Sequence, residues 1–350
     1  MRLLVITQKV DQNDSNSGFF HVWLEKLAAQ VDHLYIICLE KGEYSLPKNV
    51  TVLSLGKEEK KSKLTYVCRL YYYIFKFRKE YQGVFVHMNP EYVILGGLFW
   101  RLWHKKILLW YTHKAVNLKL WLAEKLANKI FTVNKESFRL LSSKICIVGH
   151  GIEVDVFAIS RAKLFDNTLK LLSVSRITPS KDLVTAMKAV HALRNMMSVP
   201  FRLTIVGAPI TDQDKKYLEG LKEIDASCVD KPSAVVFAGA IPHTQLPLIY
   251  STHHIFIHTG QTGGLDKTAL EALAGGCIIV SSSEAVRPLV AAGFAYGFPA
   301  GDYQELAKTI EKIWKDGILE QVPNQRAIAY VREHHNLENV ITKIIAYFSV

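Results

Sequence analysis

Arg176 and Lys181 stand five residues apart in the segment Ser175–Asp182. An apolar run over 169–177 comes before Lys181 and an amphipathic stretch follows it, so the spacing predicts a strand, a turn and a helix. Two cations then sit at the carboxyl end of a strand, the edge where open α/β sheets bind ligands. A nearby helix N-terminus adds its positive end. Phosphate binding fits this pattern, and so does a solvated turn with two surface charges. A second segment, His258 to Gly264, places Gly260, Gly263 and Gly264 after another strand. Glycines let the backbone approach an anion, and the first N–H groups of a helix beginning near Leu265 can donate to it. Glu271 lies inside that helix and is followed by small residues. A carboxylate beside a diphosphate repels it, so its benign role is hydrogen bonding to a sugar diol. A tight turn with a surface glutamate is the alternative.

Other candidates are spread along the chain. Gly18, in Asp14-Ser-Asn-Ser-Gly18, follows the first apolar run, where Ser17 or Asn16 can act as a simple helix cap. His113 follows the strand 106–112, His87 ends the run 83–88, and His150 lies between two glycines. Asp212-Gln213-Asp214 spells DxD but opens a helix, where acids favour the positive end. No histidine–carboxylate spacing suggests a catalytic metal. Neither GxSxG nor GxxxxGK[ST] occurs, which weakens serine-hydrolase and P-loop readings.

These residues need elements to hold them. The 350 residues are enough for about two domains. Hydrophobic residues are 49% and charged residues 21%, which excludes a disordered chain, a collagen-like repeat and a long coiled coil. No stretch reaches about 18 apolar residues, the length of a membrane span. The N-terminus turns polar too soon for a signal-peptide core. Five scattered cysteines without a CxxC pair argue against disulfides and zinc knuckles, so a cytoplasmic protein is expected. Apolar runs at 3–7, 33–40, 50–55, 83–88, 106–112, 129–134 and 144–151 alternate with helix-length segments near 18–30, 62–80, 91–104, 116–127 and 135–142. The pattern restarts with strands at 169–177, 201–209, 234–241, 254–260 and 277–283. Helices are expected near 182–197, 211–224, 243–251, 266–275, 286–292 and 302–315. Repeated βαβ units with parallel sheets follow. Residues 158–167 read as the linker, and 323–348 as a long helix with a weak spot at 334–336. Two such domains form a cleft between them, where ligands usually bind.

The net charge of +11 is uneven. Residues 1–160 hold 23 Lys+Arg against 14 Asp+Glu, and residues 161–350 hold 20 against 18. A basic first half implies a negatively charged partner: phosphates, nucleic acid or an anionic membrane. Over 57–79, cations mix with Val67, Leu70, Tyr71, Ile74 and Phe75, which share one helical face. With Trp100–Lys106 this segment suits a membrane surface, or alternatively a core helix with a charged rim.

Taken together, SVSRITPSKD (173–182), IVGAP (205–209), 235–260 and 262–283 resemble the family 4 glycosyltransferases of GT-B fold. VGHGIEVDVF (148–157) and residues 111–137 extend the resemblance into the first half. It implies an α/β fold of two Rossmann-like domains facing across a cleft. The acceptor domain would be 1–160 and the nucleotide-sugar domain 161–325, with 326–350 returning to the first. The implied activity is retaining transfer of a hexose-type sugar from a nucleotide-diphosphate sugar to a hydroxyl acceptor. The acceptor would be a glycan or a lipid-linked sugar, as in cell-surface polysaccharide or glycolipid synthesis. Arg176 and Lys181 would hold the diphosphate, with His113 near the reacting sugar and Glu271 on the ribose. Gly18, Gly207, Gly263, Gly264, Leu265, Asp266, Lys267 and Thr268 would line the donor or nucleotide site. The family's usual Glu-x7-Glu motif is broken, because Gly263 stands at the first position, so Asp266 or Lys267 is expected to reach the sugar. No metal or other cofactor is expected. In the family's usual proposal the leaving phosphate oxygen deprotonates the acceptor. A GT-B sugar-nucleotide epimerase would share the diphosphate site. A nucleic-acid-binding protein would explain the charge, but no RNA-recognition signature is present, and nucleic acid is not an expected partner.

Overall fold

Short β-branched runs become parallel strands in both halves of the chain, the central ones buried on both faces. The structure is a computed structural model and describes every residue except 15, 16, 160–167, 227–233, 261–263, 322 and 350. Gly263, Asn16 and most of the expected linker 158–167 therefore lie outside the described residues. The chain divides into two units, Met1–Gly151 with Leu337–Val350, and Ile152–Asn336.

The first unit runs β1 (Arg2–Val10), α1 (Gly18–Ala28), β2 (His33–Lys41), β3 (Val50–Ser54), α2 (Lys63–Lys76), β4 (Gly83–His87), α3 (Pro90–Leu102), β5 (Lys106–Trp110), α4 (Leu118–Leu126), β6 (Lys129–Thr132) and β7 (Ile145–Ile147). Its strands are parallel, in the order β3-β2-β1-β4-β5-β6-β7. Val84, Val86, Ile107 and Leu109 pack one face of the sheet against Leu70 and Ile74 of α2 and Trp100 of α3. Ser62 caps α2 by accepting from the Thr65 N–H, and Asn117 caps α4 through Leu120.

The second unit contains α5 (Val154–Phe157), β8 (Leu169–Val174), α6 (Leu183–Met196), β9 (Phe201–Val206), α7 (Asp212–Ala226), β10 (Val235–Gly239), α8 (Leu246–Ser251), β11 (Ile255–His258), α9 (Lys267–Ala274), β12 (Ile278–Ser281), α10 (Arg287–Ala291), β13 (Ala295–Gly297), α11 (Tyr303–Lys315) and α12 (Gln325–His335). The strand order is β10-β9-β8-β11-β12-β13, again parallel. In both sheets the first strand has neighbours from both winding directions. The crevices beyond the carboxyl ends of β1/β4 and β8/β11 are therefore the places each sheet offers a ligand.

Three elements differ from the sequence expectation. Residues 135–142 form turns, not a helix: Asn134 Oδ1 accepts from the Ser137 N–H at 2.9 Å, competing with helical bonding, and Phe138 is buried in the core. The short β13 and the four-residue α5 carry too little periodicity to be anticipated. The boundary between units falls at 151/152, because Ile152 bridges Asn336 and α5 lies against α8 and α9. The tail also splits. α12 packs on α9, while α13 (Leu337–Ser349) packs on α1 in the first unit. Asn336, in extended conformation, separates them. No helix among the described residues is long and apolar enough to cross a membrane.

α13 is held by Val340, Ile341 and Ile344, all fully buried, by an ion pair between Glu338 and Lys26, and by Phe348 lying over Gly83. Ile344→Ala should cost the first unit ~2–5 kcal/mol, the usual penalty for emptying a packed site, measured by urea unfolding. A loss below about 0.5 kcal/mol, within the range of surface substitutions, would show that α13 does not complete this core.

Candidate functional site

In the second unit the cations and glycines converge on the β8/β11 edge. After β8 the chain passes Ser175 and Arg176, makes a short turn over Pro179–Lys181 and enters α6. The entry is abrupt because Asp182 adopts a left-handed conformation, φ 46°, while its carboxylate caps α6 at Thr185. A non-glycine residue held there costs free energy that the surrounding contacts must supply. Here it leaves Lys181 pointing at the edge. Gly207, at the end of β9, has φ 144°, and a Cβ there would lie 1.8 Å from the Ser175 carbonyl oxygen. Only glycine allows the β9 turn to pack against the Arg176 turn.

Lys181 forms an ion pair with Asp266, the cap residue of α9. The same Asp266 oxygen is 2.8 Å from His258 Nε2, and His258 Nδ1 is 2.9 Å from Ser281 Oγ. Thr259 donates to the Lys181 carbonyl at 2.7 Å. A Cβ on Gly260 would come within 3.1 Å of the Lys181 side chain, so the glycine gives the lysine room. Burial alone pushes the Asp266 carboxyl up, but the hydrogen bond and charge of His258, and then Lys181, hold it well below the usual carboxylate range. Arg176 is exposed, and no carboxylate among the described residues pairs with it. One cation is thus anchored and one stands open at the same strand end.

Glu271 sits one turn further along α9 and is 1% exposed. His243 Nε2 lies 2.8 Å from it, Tyr250 donates at 3.2 Å, and Lys267 lies at 3.4 Å. The carboxylate expected to meet a ribose therefore already has three protein partners. Burial lowers the Lys267 pKa in spite of Glu271 and Glu153 beside it. Gly264 and the buried Leu265 precede Asp266 on the segment leading into α9, and Lys267 and Thr268 open the helix. The DxD pair opens α7 as expected of helix-end acids. Asp214 accepts from Thr211 and Ile210, and its pKa falls to about 2 through its hydrogen bonds, that to Thr178 first.

In the first unit, a cavity of about 310 Å³ opens at the β1/β4 edge. His87 is in its wall, stacked on Phe20 with centroids 3.8 Å apart, and its Nδ1 lies 3.4 Å from Thr7 Oγ1. The following Met88 has φ 67°, a strained turn at the strand end. Lys9 also lines the cavity and reaches Asp14, Asp11 and Glu40. Burial disfavours its charge, yet these carboxylates raise its pKa overall. Asp14 in turn accepts from the Ser17 N–H and hydroxyl. This fixes the start of α1, where a Cβ on Gly18 would lie 3.0 Å from the Gln12 carbonyl. His113 is not in the cavity wall. It is exposed, and its Nδ1 accepts from the Ala115 N–H. The sequence offered His87 only as an unassigned strand-end residue, and it gave no sign of the His258–Asp266 contact.

Asp266→Asn should lower stability at pH 7 by on the order of 2 kcal/mol, since it removes a charge-assisted pair. The Asp266 pKa is depressed in the folded chain. Its contribution is therefore complete above the unfolded value of ~3.9 and is lost as pH falls below it. The gap between wild type and variant, followed by denaturant unfolding, should close toward acid pH. A gap that widens as pH falls would contradict the arrangement.

The model of the family "Glycosyl transferases group 1" matches residues 156–330, half of the chain. The crystal structure of Anabaena HepE in complex with UDP and glucose is similar, with a TM-score of 0.79 and 14% identity, covering 100% of this chain and 99% of that one. Sucrose-phosphate synthase from Thermosynechococcus elongatus aligns with a TM-score of 0.76 and 16% identity, over 99% of this chain and 98% of the other. No curated protein sequence matches significantly. At these identities the solved structures establish the GT-B fold, and the match over β8–α12 establishes the family. The chain belongs to the glycosyl transferases group 1 and is a glycosyltransferase.

Proposed function

We propose that this glycosyltransferase takes its sugar from a nucleoside-diphosphate hexose bound at the β8/β11 edge and passes it, with retention, to a hydroxyl acceptor on the first unit. The carrying observation is the pairing of an open cation, Arg176, with an anchored one, Lys181, at one strand end. Charge builds up on the departing diphosphate as the sugar leaves. Positive groups already fixed in place stabilise it without reorganising. The Asp266–His258 contact keeps Lys181 in position, and the N-terminal N–H groups of α9 add to the field. Two cations and a helix end meet this charge, and the reaction proposed here needs no metal. Binding of UDP by the similar HepE structure makes UDP-hexose the first donor to test. Glu271 is assigned to the ribose, which must then exchange with His243 or Lys267 as a partner. The acceptor hydroxyl is assigned to the His87 cavity.

The site of action is proposed to be an anionic membrane surface, with a polysaccharide or glycolipid precursor as acceptor. The cations first expected to make the contact are partly neutralised: Arg69 forms two bonds to Glu59, and Lys61 lies 3.7 Å from it. Trp100 is fully buried, its N–H donating to Tyr81. Support comes instead from the outer faces of α3 and α4, where Leu98 (64% exposed), Leu102 (73%) and Leu118 (70%) stand with Trp121. Arg101 shares α3 with them, while Lys119 and Lys125 of α4 are themselves partly neutralised, at 2.9 Å from Glu91 and 3.6 Å from Glu124. Exposed apolar groups among cations suit a lipid interface.

Arg176→Ala and Lys181→Ala should each reduce release of nucleoside diphosphate from the consumed sugar nucleotide by about a hundredfold or more, with unchanged circular dichroism. Near-normal rates in both would end the assignment. In vesicle flotation, binding should grow with anionic lipid content, each nearby cation adding about 1 kcal/mol, and fall with Leu98→Gln plus Leu102→Gln. A protein that never floats at low salt would refute the membrane reading.

A further inference from the structure

A second hollow, about 470 Å³, lies between α2 and α3 at the carboxyl edge of the first sheet. Its floor is Leu39 of β2 and Leu55 just past β3. Its walls are Tyr66 and Val67 of α2 and Tyr92 and Leu95 of α3. Tyr71 donates to the Leu95 carbonyl at 3.2 Å and so pins the two helices at this spacing. The hollow is open, and most of the surface it presents is apolar, with Lys63, Glu91, Gln8 and Asn89 as its polar members. Along the Leu and Val side chains water would find few partners, which favours an apolar guest there.

Its position decides which guest. Gln8 and Asn89 line both this hollow and the His87 cavity. The two form one trough, polar and aromatic at the β1/β4 edge and apolar beyond. The trough continues from the cavity assigned to the acceptor, so the guest it suits is an apolar extension of that acceptor, a single alkyl chain. We infer that the groove between α2 and α3 holds the alkyl part of an amphiphilic acceptor whose hydroxyl-bearing head occupies the His87 cavity. This deepens the proposed function and rests on its placing the acceptor on the first unit.

The test uses n-alkyl β-glucosides from methyl to decyl, below their micelle concentrations, titrated calorimetrically into the full chain. Affinity should rise by about fourfold per methylene, the ~0.8 kcal/mol of a buried CH2, and level off once the groove is full. Leu95→Trp and, as an independent variant, Val67→Trp fill the groove and should flatten this dependence, with circular dichroism unchanged. UDP titrated into the same variants should bind as in wild type. A wild type without chain-length dependence overturns the inference. So does a dependence that persists in both filled variants. A dependence lost only with Leu98→Gln and Leu102→Gln assigns the alkyl chain to the outer helix face and also overturns it. Failure of UDP to bind the wild type counts against the donor assignment, whereas chain-length dependence tests the groove alone.

Discussion

The arrangement at the β8/β11 edge depends on one carboxylate. Asp266 is simultaneously the cap residue of α9, the counter-ion of Lys181 and the partner of His258. It thereby ties the turn after β8, the end of β11 and the start of α9 to one another. Without it, Lys181 would be a flexible cation on a strained turn. With it, the ammonium has a fixed place before any ligand arrives, so ordering it costs little at the moment of binding. The depressed Asp266 pKa follows from the same geometry: the pair survives because two cationic or proton-donating groups face a partly buried carboxylate.

The same logic appears in both units. Each has a parallel sheet whose order reverses beside its first strand, and each places a non-glycine residue with positive φ at that edge, Met88 after β4 and Asp182 after β8. Such conformations persist only where packing compels them. Met88 is held by its N–H to the Trp110 carbonyl and by the Thr112 hydroxyl on its sulfur. Asp182 is held by its capping bonds. The chemistry at the two edges differs: the first unit offers an aromatic, histidine-lined cavity in which Lys9 is surrounded by Asp11, Asp14 and Glu40, the second an ion pair beside the open Arg176. That contrast suits the acceptor and donor roles proposed for the two edges.

Much of this was legible in the sequence because the central strands are buried on both faces. Runs such as 83–88 and 277–283 are short, apolar and β-branched, which marks them as strands. The positions of Arg176, Lys181, Gly207 and Gly260 were readable for the same reason, as charges and small residues at strand ends. Pairings made through space were not readable. His258 and Asp266 are eight residues apart, and only the fold makes them partners. Glu271 reads as a surface glutamate or a ligand group, yet His243 and Tyr250 from distant segments enclose it. His113 and His87 look alike in sequence, and only the packing of Phe20 separates a cavity wall from an exposed turn. The helix expected over 135–142 failed because a side-chain bond from Asn134 outbid backbone periodicity.

The central claim is that the β8/β11 edge is built for a diphosphate. Calorimetric titration of the wild-type protein with uridine, UMP and UDP, and with GDP and ADP in parallel, tests it most directly. If the fixed Lys181 and the open Arg176 face the phosphates, one base series should show the diphosphate binding at least about tenfold more tightly than the monophosphate. That corresponds to ~1.4 kcal/mol, and the advantage should shrink as salt is raised. Equal affinities for nucleoside, monophosphate and diphosphate, or binding of none of the diphosphates, would contradict the account.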